Sequence, residues 1–194
     1  MGQPSGRHSS GSSEGFQVGR ALLRRSGRAP APIALWFLLF AIASACSGNL
    51  PVPSRGPVTG DRAPSFETAL IMADTIKLDE LKGKGVLLNF WSTWCAPCVR
   101  ELPLLDSVAR ENAAEGLVVV AMNMGESEEE ILGFLEEFEL GFPVALDTRG
   151  AVARLYAVPG LPMSFFIDRS GVIRYRRIGE LKEEHIARGL GRIL

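Results

Sequence analysis

The sequence predicts a three-layer α/β domain, a central mixed sheet flanked by helices, behind an N-terminal extension. Three observations carry that expectation. Between residues 86 and 194 apolar runs alternate with amphipathic stretches at helical spacing, the last two runs are joined by a tight turn, and the composition changes abruptly near residue 60. At 194 residues, 46% hydrophobic and 22% charged, the chain can bury one sizeable core, and it reads neither as wholly disordered nor as polytopic.

The extension comes first. Residues 2–15 are rich in Gly and Ser, with too few large apolar side chains to offset the entropy of ordering. Arg20, Arg24, Arg25 and Arg28 then precede an apolar stretch from Ile33 to Ala45 whose 13 residues suit the core of an export signal. A bilayer-spanning helix needs roughly 20, so residues 1–45 read as a signal segment. An uncleaved anchor from Ala29 to Cys46 is the alternative. The small residues Ala43-Ser44-Ala45 lead directly to Cys46 and resemble a bacterial lipobox, which implies lipidation of Cys46 and a membrane tether. They also satisfy the small-x-small rule for ordinary cleavage, which would release a soluble protein. Residues 46–60, with Pro51, Pro53 and Pro57, read as a flexible tether, and residues 61–194 as the domain.

Within that domain Val86 to Trp91 is a buried-type strand, Cys95 to Ala113 a helix and Leu117 to Asn123 a second strand. A helix from Glu128 to Phe138 follows, announced by a Ser127/Glu130 capping box and by Ile131, Phe134, Leu135 and Phe138 on one face. The run Phe142 to Leu146 is a third strand and Ala151 to Tyr156 a short helix. Strands at Met163 to Ile167 and Val172 to Ile178 form a hairpin through Asp168-Arg169-Ser170-Gly171, and a last helix starts at Lys182.

Charge excludes one class of function. Residues 1–45 carry a net +4 and residues 46–194 a net −5, and beyond Arg174, Arg176 and Arg177 the domain has no basic run. Nucleic acid is not a partner such a surface would hold.

The chemistry is concentrated in Cys95-Ala96-Pro97-Cys98. Two thiols separated by two residues, after a buried strand and at a helix start, can close a small disulfide ring where helix N–H groups stabilise a thiolate. Cys95 is expected to be the more exposed nucleophile and Cys98 the resolving thiol. Pro97 sits in the first turn, where its missing N–H costs nothing, and with Trp94 and Leu161 it is expected to contact substrate. A buried stapling disulfide is the structural alternative. A zinc site lacks ligands, since Cys46 is the remaining cysteine and His8 and His185 are the two histidines.

Trp94-Cys95-Ala96-Pro97-Cys98 matches the W-C-x-P-C of the thioredoxin superfamily. With Leu87-Leu88-Asn89-Phe90-Trp91, Gly60-Asp61-Arg62-Ala63-Pro64-Ser65-Phe66 and Leu81-Lys82-Gly83-Lys84, residues 60–194 resemble its exported TlpA/ResA branch. The resemblance implies a thioredoxin-like fold and a periplasmic or outer-face thiol-disulfide oxidoreductase that reduces exported proteins, cytochrome c precursors among them. It implies no cofactor, a disulfide-containing client, a membrane thiol donor as the source of electrons, and a monomer. It also implies a cis Pro162 facing the two cysteines, with Leu161 tuning docking; Met163 departs from the Thr often found next. Asn89 stands where cytoplasmic relatives have a proton-moving Asp. Glu101, three residues after Cys98, matches an acid of this branch and is expected to be partly buried, with a raised pKa, exchanging protons with the thiols.

Trp91 and Trp94 are expected on the active-site surface, where their rings offer apolar contact to clients, with a place in the core as the equal alternative for Trp91. The charge run Glu126, Glu128, Glu129 and Glu130 reads as a solvated helix start, Pro103 as a structural helix proline and His185 as a surface residue. Two other functions fit the same fold: a peroxiredoxin-like antioxidant, although no upstream Pro and Thr pattern precedes Cys95, and a Cu(I)-binding chaperone, although its wider Cys spacing and late loop His are missing.

Overall fold

The computed structural model describes residues 55–138 and 140–194. Cys46, the expected signal segment and most of the expected tether lie outside them. Seven strands form one sheet: β1 (Glu67–Leu70), β2 (Ala73–Lys77), β3 (Gly85–Trp91), β4 (Leu117–Met124), β5 (Val144–Asp147), β6 (Met163–Ile167) and β7 (Ile173–Ile178). Their spatial order is β2-β1-β5-β4-β3-β6-β7. The helices are α1 (Ala96–Asn112), α2 (Glu128–Leu135), α3 (Ala151–Leu155) and α4 (Glu183–Ile193). The pairs β3/β4 and β4/β5 are parallel, whereas β6 runs antiparallel to both β3 and β7.

Every residue of β3 is buried, because helices or loops cover both faces of the sheet. Alternation along the strand then sorts its side chains. Leu87 and Trp91 join Leu102 and Leu105 of α1, Ile131 of α2 and Ile186 of α4 on one face. On the other, Leu88 and Phe90 join Phe165, Val152 of α3, Tyr156 and Phe66. Packing of α4 is close enough that a Cβ on Gly189 would sit 2.2 Å from the Phe166 ring, so this helix position admits only glycine.

The β7 hairpin also holds down residues 57–63, the lead-in to the domain. Gly60 N–H donates to Ile173 O at 2.8 Å, Ile173 N–H to Asp61 O at 3.0 Å and Ala63 N–H to Gly171 O at 2.9 Å, while Arg176 Nη1 donates to Pro57 O at 3.2 Å.

Several elements differ from the sequence reading. The β1/β2 hairpin was not expected: its strands are short, mostly exposed and carry charges, so neither offers an apolar alternation to read. The capping box is present, with Ser127 Oγ accepting the Glu130 N–H at 3.3 Å, but α2 ends at Leu135 and the chain to Phe138 turns through shorter-range bonds. Of the two readings of Trp91 the surface one is overturned, the ring being wholly inaccessible and packed against Phe134 at 5.5 Å between ring centroids. It belongs to the core, because position 91 alternates with Phe90 and points beneath α1 and α2. His185 is a second correction, since it is buried in the first turn of α4 with its Nδ1 accepting the Lys182 N–H at 3.1 Å. Desolvation, followed by the nearby Arg177, holds its pKa below the usual imidazole range.

Candidate active site

Strand pairing assembles this site. β3 delivers the chain to residues 92–95, and β6 begins at Met163, which pairs with Phe90 near the end of β3. Antiparallel registry therefore brings Pro162, the residue before β6, alongside the loop that carries the cysteines. The Leu161–Pro162 bond is cis, and Pro162 O accepts the Gly179 N–H at 2.8 Å.

Cys95 is the N-cap of α1, and Cys98 lies in its first turn with Pro97. The two are joined as a disulfide. Cys95 is 5% accessible and Cys98 0%, so attack from solvent falls on Cys95. The helix N-terminus carries partial positive charge that favours a thiolate there. Trp94, the residue before Cys95, has 72% of its surface exposed and shares an open groove with Leu161. Pro97 is half-buried in the turn and does not line that groove.

One turn beyond Cys98 lies a buried carboxylate. Glu101 is 1% exposed, its Oε1 accepting Asn89 Nδ2 at 2.7 Å and its Oε2 accepting the Leu181 N–H at 2.5 Å. Asn89 Nδ2 also donates to Ser164 Oγ at 2.9 Å, which ties α1, β3 and β6 together, while Asn89 Oδ1 has no partner. Desolvation outweighs the two hydrogen bonds and pushes the Glu101 pKa up to about 7. Such a group can hold a proton or release it at neutral pH, close to where thiols must lose and regain theirs.

Glu126 corrects the reading of the acidic run. It is buried rather than solvated, and its carboxylate accepts the Thr93 N–H at 2.8 Å, the Thr93 hydroxyl, and Asn123 Nδ2 at 2.6 Å. Together with Ser92 Oγ donating to Met124 O at 2.9 Å, it clamps the loop before Trp94 and Cys95 to the end of β4. The sequence signal was weak, one Glu among four, and only the Gly125 and Ser127 punctuation hinted that Glu126 precedes the helix rather than belonging to it.

Among the described residues no cluster of His, Cys, Asp and Glu could hold a metal ion, and no helix is long and apolar enough to cross a membrane.

Comparison with known proteins extends these observations. Residues 59–176 match the model of the AhpC/TSA family. A thiol-disulfide oxidoreductase ResA of Bacillus cereus is 37% identical over 127 residues, covering 66% of this chain and 73% of the relative. ResA of Geobacillus kaustophilus is 34% identical over 156 residues, covering 80% of this chain and 90% of the relative. Among solved structures, the exposed lipoprotein thioredoxin Etrx1 of Streptococcus pneumoniae superposes with a TM-score of 0.61 at 28% identity, covering 66% of this chain and 98% of that one.

Proposed function

Because this chain belongs to the AhpC/TSA family and is a ResA-like thiol-disulfide oxidoreductase of thioredoxin-like fold, we propose that it works outside the cytoplasm as a reductant of disulfides in exported proteins. Cytochrome c precursors are one client class this reading includes. It also includes a tether through Cys46 or an uncleaved N-terminal anchor, a membrane thiol donor and a monomeric state. The relatives named ResA and the exposed lipoprotein thioredoxin support the extracytoplasmic setting.

In the reduced protein the Cys95 thiolate attacks one sulfur of a client disulfide, forming a mixed disulfide and releasing the first client thiolate. The Cys98 thiolate then attacks Cys95 Sγ, closing the Cys95–Cys98 disulfide and releasing the second client thiolate. Two electrons pass to the client, which takes up two protons. Glu101 supplies or accepts the proton of the resolving thiol, Pro162 and Leu161 border the docked client backbone, and Trp94 gives apolar contact. A donor thiol pair returns the protein to its reduced state, since an exported compartment is oxidising.

One observation carries this reading: a Cys95 that keeps 5% of its surface open and a sealed Cys98 at a helix start, with a buried carboxyl whose pKa is pushed up to about 7 one turn further on. The test is the equilibrium reduction potential of the Cys95/Cys98 pair against a thiol redox buffer. A reductant gives a value below about −230 mV, whereas a value near about −120 mV matches strong oxidants and overturns the direction.

A further inference from the structure

We propose that the protein selects clients bearing acidic side chains beside their disulfide, held by Arg149 and Arg154; this rests on the protein-disulfide reading above. β3, β4 and β5 are parallel, so the loops leaving them emerge along one edge, the place where open α/β sheets gather their binding groups. The first loop carries Trp94 and Cys95, the second Gly125 and the third Thr148, Arg149 and Gly150. The groove that Trp94 shares with Leu161 is lined further by Met124, Val158 and Arg149. A second depression continues it, sharing Met124, Gly150 and Val158 and adding Arg154. No carboxylate lines either.

Like Arg62, Arg169, Arg176, Arg177, Arg188 and Arg192, these two arginines are held by no carboxylate among the described residues, and what sets them apart is their place along the groove. Arg100, Arg110 and Arg174 each pair with a carboxylate, of Glu180, Asp106 and Asp168 respectively. Arg149 and Arg154 make no ion pair among the described residues; Arg154 Nη1 donates instead to Arg149 O at 2.8 Å. The nearby carboxylates are engaged inward: Glu126 holds Thr93 and Asn123, and buried Asp147 caps α3 by accepting the Val152 and Ala153 N–H groups at 3.2 and 2.7 Å. Residues 46–194 carry a net −5, so the groove beside Trp94 is a local patch of the opposite sign. An extended polypeptide crossing it would set apolar side chains on Trp94, Val158 and Leu161, and its carboxylates would meet the two guanidinium groups, which suit bidentate binding.

The experiment uses the reduced full chain and three synthetic peptides, each closed by one internal disulfide and differing only in flanking Asp, Asn or Lys residues. The second-order rate of Cys95/Cys98 oxidation is followed by tryptophan fluorescence at low ionic strength and again at about 0.5 M salt, where exposed charges are screened. The Asp peptide is expected to react about fivefold faster than the Asn peptide and the Lys peptide slower, with the spread collapsing in salt. Arg149→Glu combined with Arg154→Glu should invert the order. Equal rates for the three peptides in the unaltered protein, or an unchanged order in the double variant, overturn the proposal and leave the oxidoreductase reading standing. Failure of all three peptides to oxidise the pair overturns both.

Discussion

The two faces of the central sheet are built by the same strands and filled with opposite chemistry. Under α3 and the N-terminal segment the core is aromatic and apolar: Phe165 lies 5.0 Å from Tyr156 and 6.0 Å from Phe90 between ring centroids, and the one deep hydroxyl, that of Tyr156, donates to Pro64 O at 2.7 Å. Under α1 and α4 the core is broken by Asn89, Ser164 and Glu101, all 1% exposed or less. Buried polar groups cost stability unless they are paired, and a carboxylate costs most. Both faces bury a packed apolar core, but the polar set one turn from the disulfide, Asn89, Ser164 and Glu101, lies on one of them, whereas the buried carboxylate under α3, Asp147, is taken up by the Val152 and Ala153 N–H groups.

Variants on the two faces should therefore separate stability from chemistry. Phe165→Ala leaves a cavity among rings on the apolar face, and should lower unfolding free energy by about 3 to 5 kcal/mol in urea titrations. The reduction potential of the molecules that remain folded should stay unchanged; a shifted potential would mean that the two faces are coupled.

On the polar face Glu101→Gln should act in the opposite sense. Folding raises this carboxyl from an ordinary 4.5 to about 7, so the folded protein binds the proton more tightly than the unfolded chain. Its stabilising contribution is complete below pH 4.5 and is lost as pH rises through about 7. Gln removes that dependence, and rotation of the Asn89 amide, whose Oδ1 is unpartnered, lets the new NH2 find an acceptor. The variant should therefore gain up to about 3 kcal/mol over the unaltered protein above pH 7 in pH-resolved denaturation. At the same time the titrations of Cys95 and Cys98 should move; cysteine titrations that ignore the change would remove Glu101 from the proton chemistry.

Glu126 tests the polar face from the loop side. Glu126→Asp keeps the charge but cannot reach Thr93, and should slow disulfide exchange about tenfold, about 1.4 kcal/mol. Glu126→Gln can still accept the Thr93 N–H and the Asn123 amide with its Oε1 while its NH2 meets the Thr93 hydroxyl, so exchange should stay within about threefold of normal. A loss in Glu126→Gln with Glu126→Asp near normal would assign the effect to charge rather than to position. The smallest effect is expected at Trp94, which is largely exposed and faces the groove: Trp94→Ala should raise KM for a protein disulfide about threefold, with stability changed by less than about 0.5 kcal/mol.

Much of this was legible in the residues themselves. The buried run of β3, the capping box of α2 and the turn between β6 and β7 are local patterns, and each element formed where its own side chains favour it. The cysteine pair was equally legible, because a strand followed by a helix start gives two thiols at this spacing a chemical context. The β1/β2 hairpin was not, since exposed edge strands bury little and leave no periodic trace.

Where a side chain ends up is harder to read along the chain. Trp91 and Trp94 differ by three residues and have opposite fates, core and surface, because one finishes a strand and the other lies in the loop just before a helix. Glu126 and Glu128 are two residues apart, and one is buried beneath the active-site loop while the other faces solvent, because Asn123 and Thr93 converge on the first from β4 and from the loop after β3. Which central segments become strands and helices, and which two cysteines pair, depends on neighbours along the chain, and for these the sequence was enough; the edge hairpin β1/β2 was the exception. The surroundings of Glu101, Glu126, Arg149 and Pro162 came from the folded molecule instead, because burial, hydrogen bonding and charge at each are set by residues that lie far away in sequence and arrive only when the sheet closes.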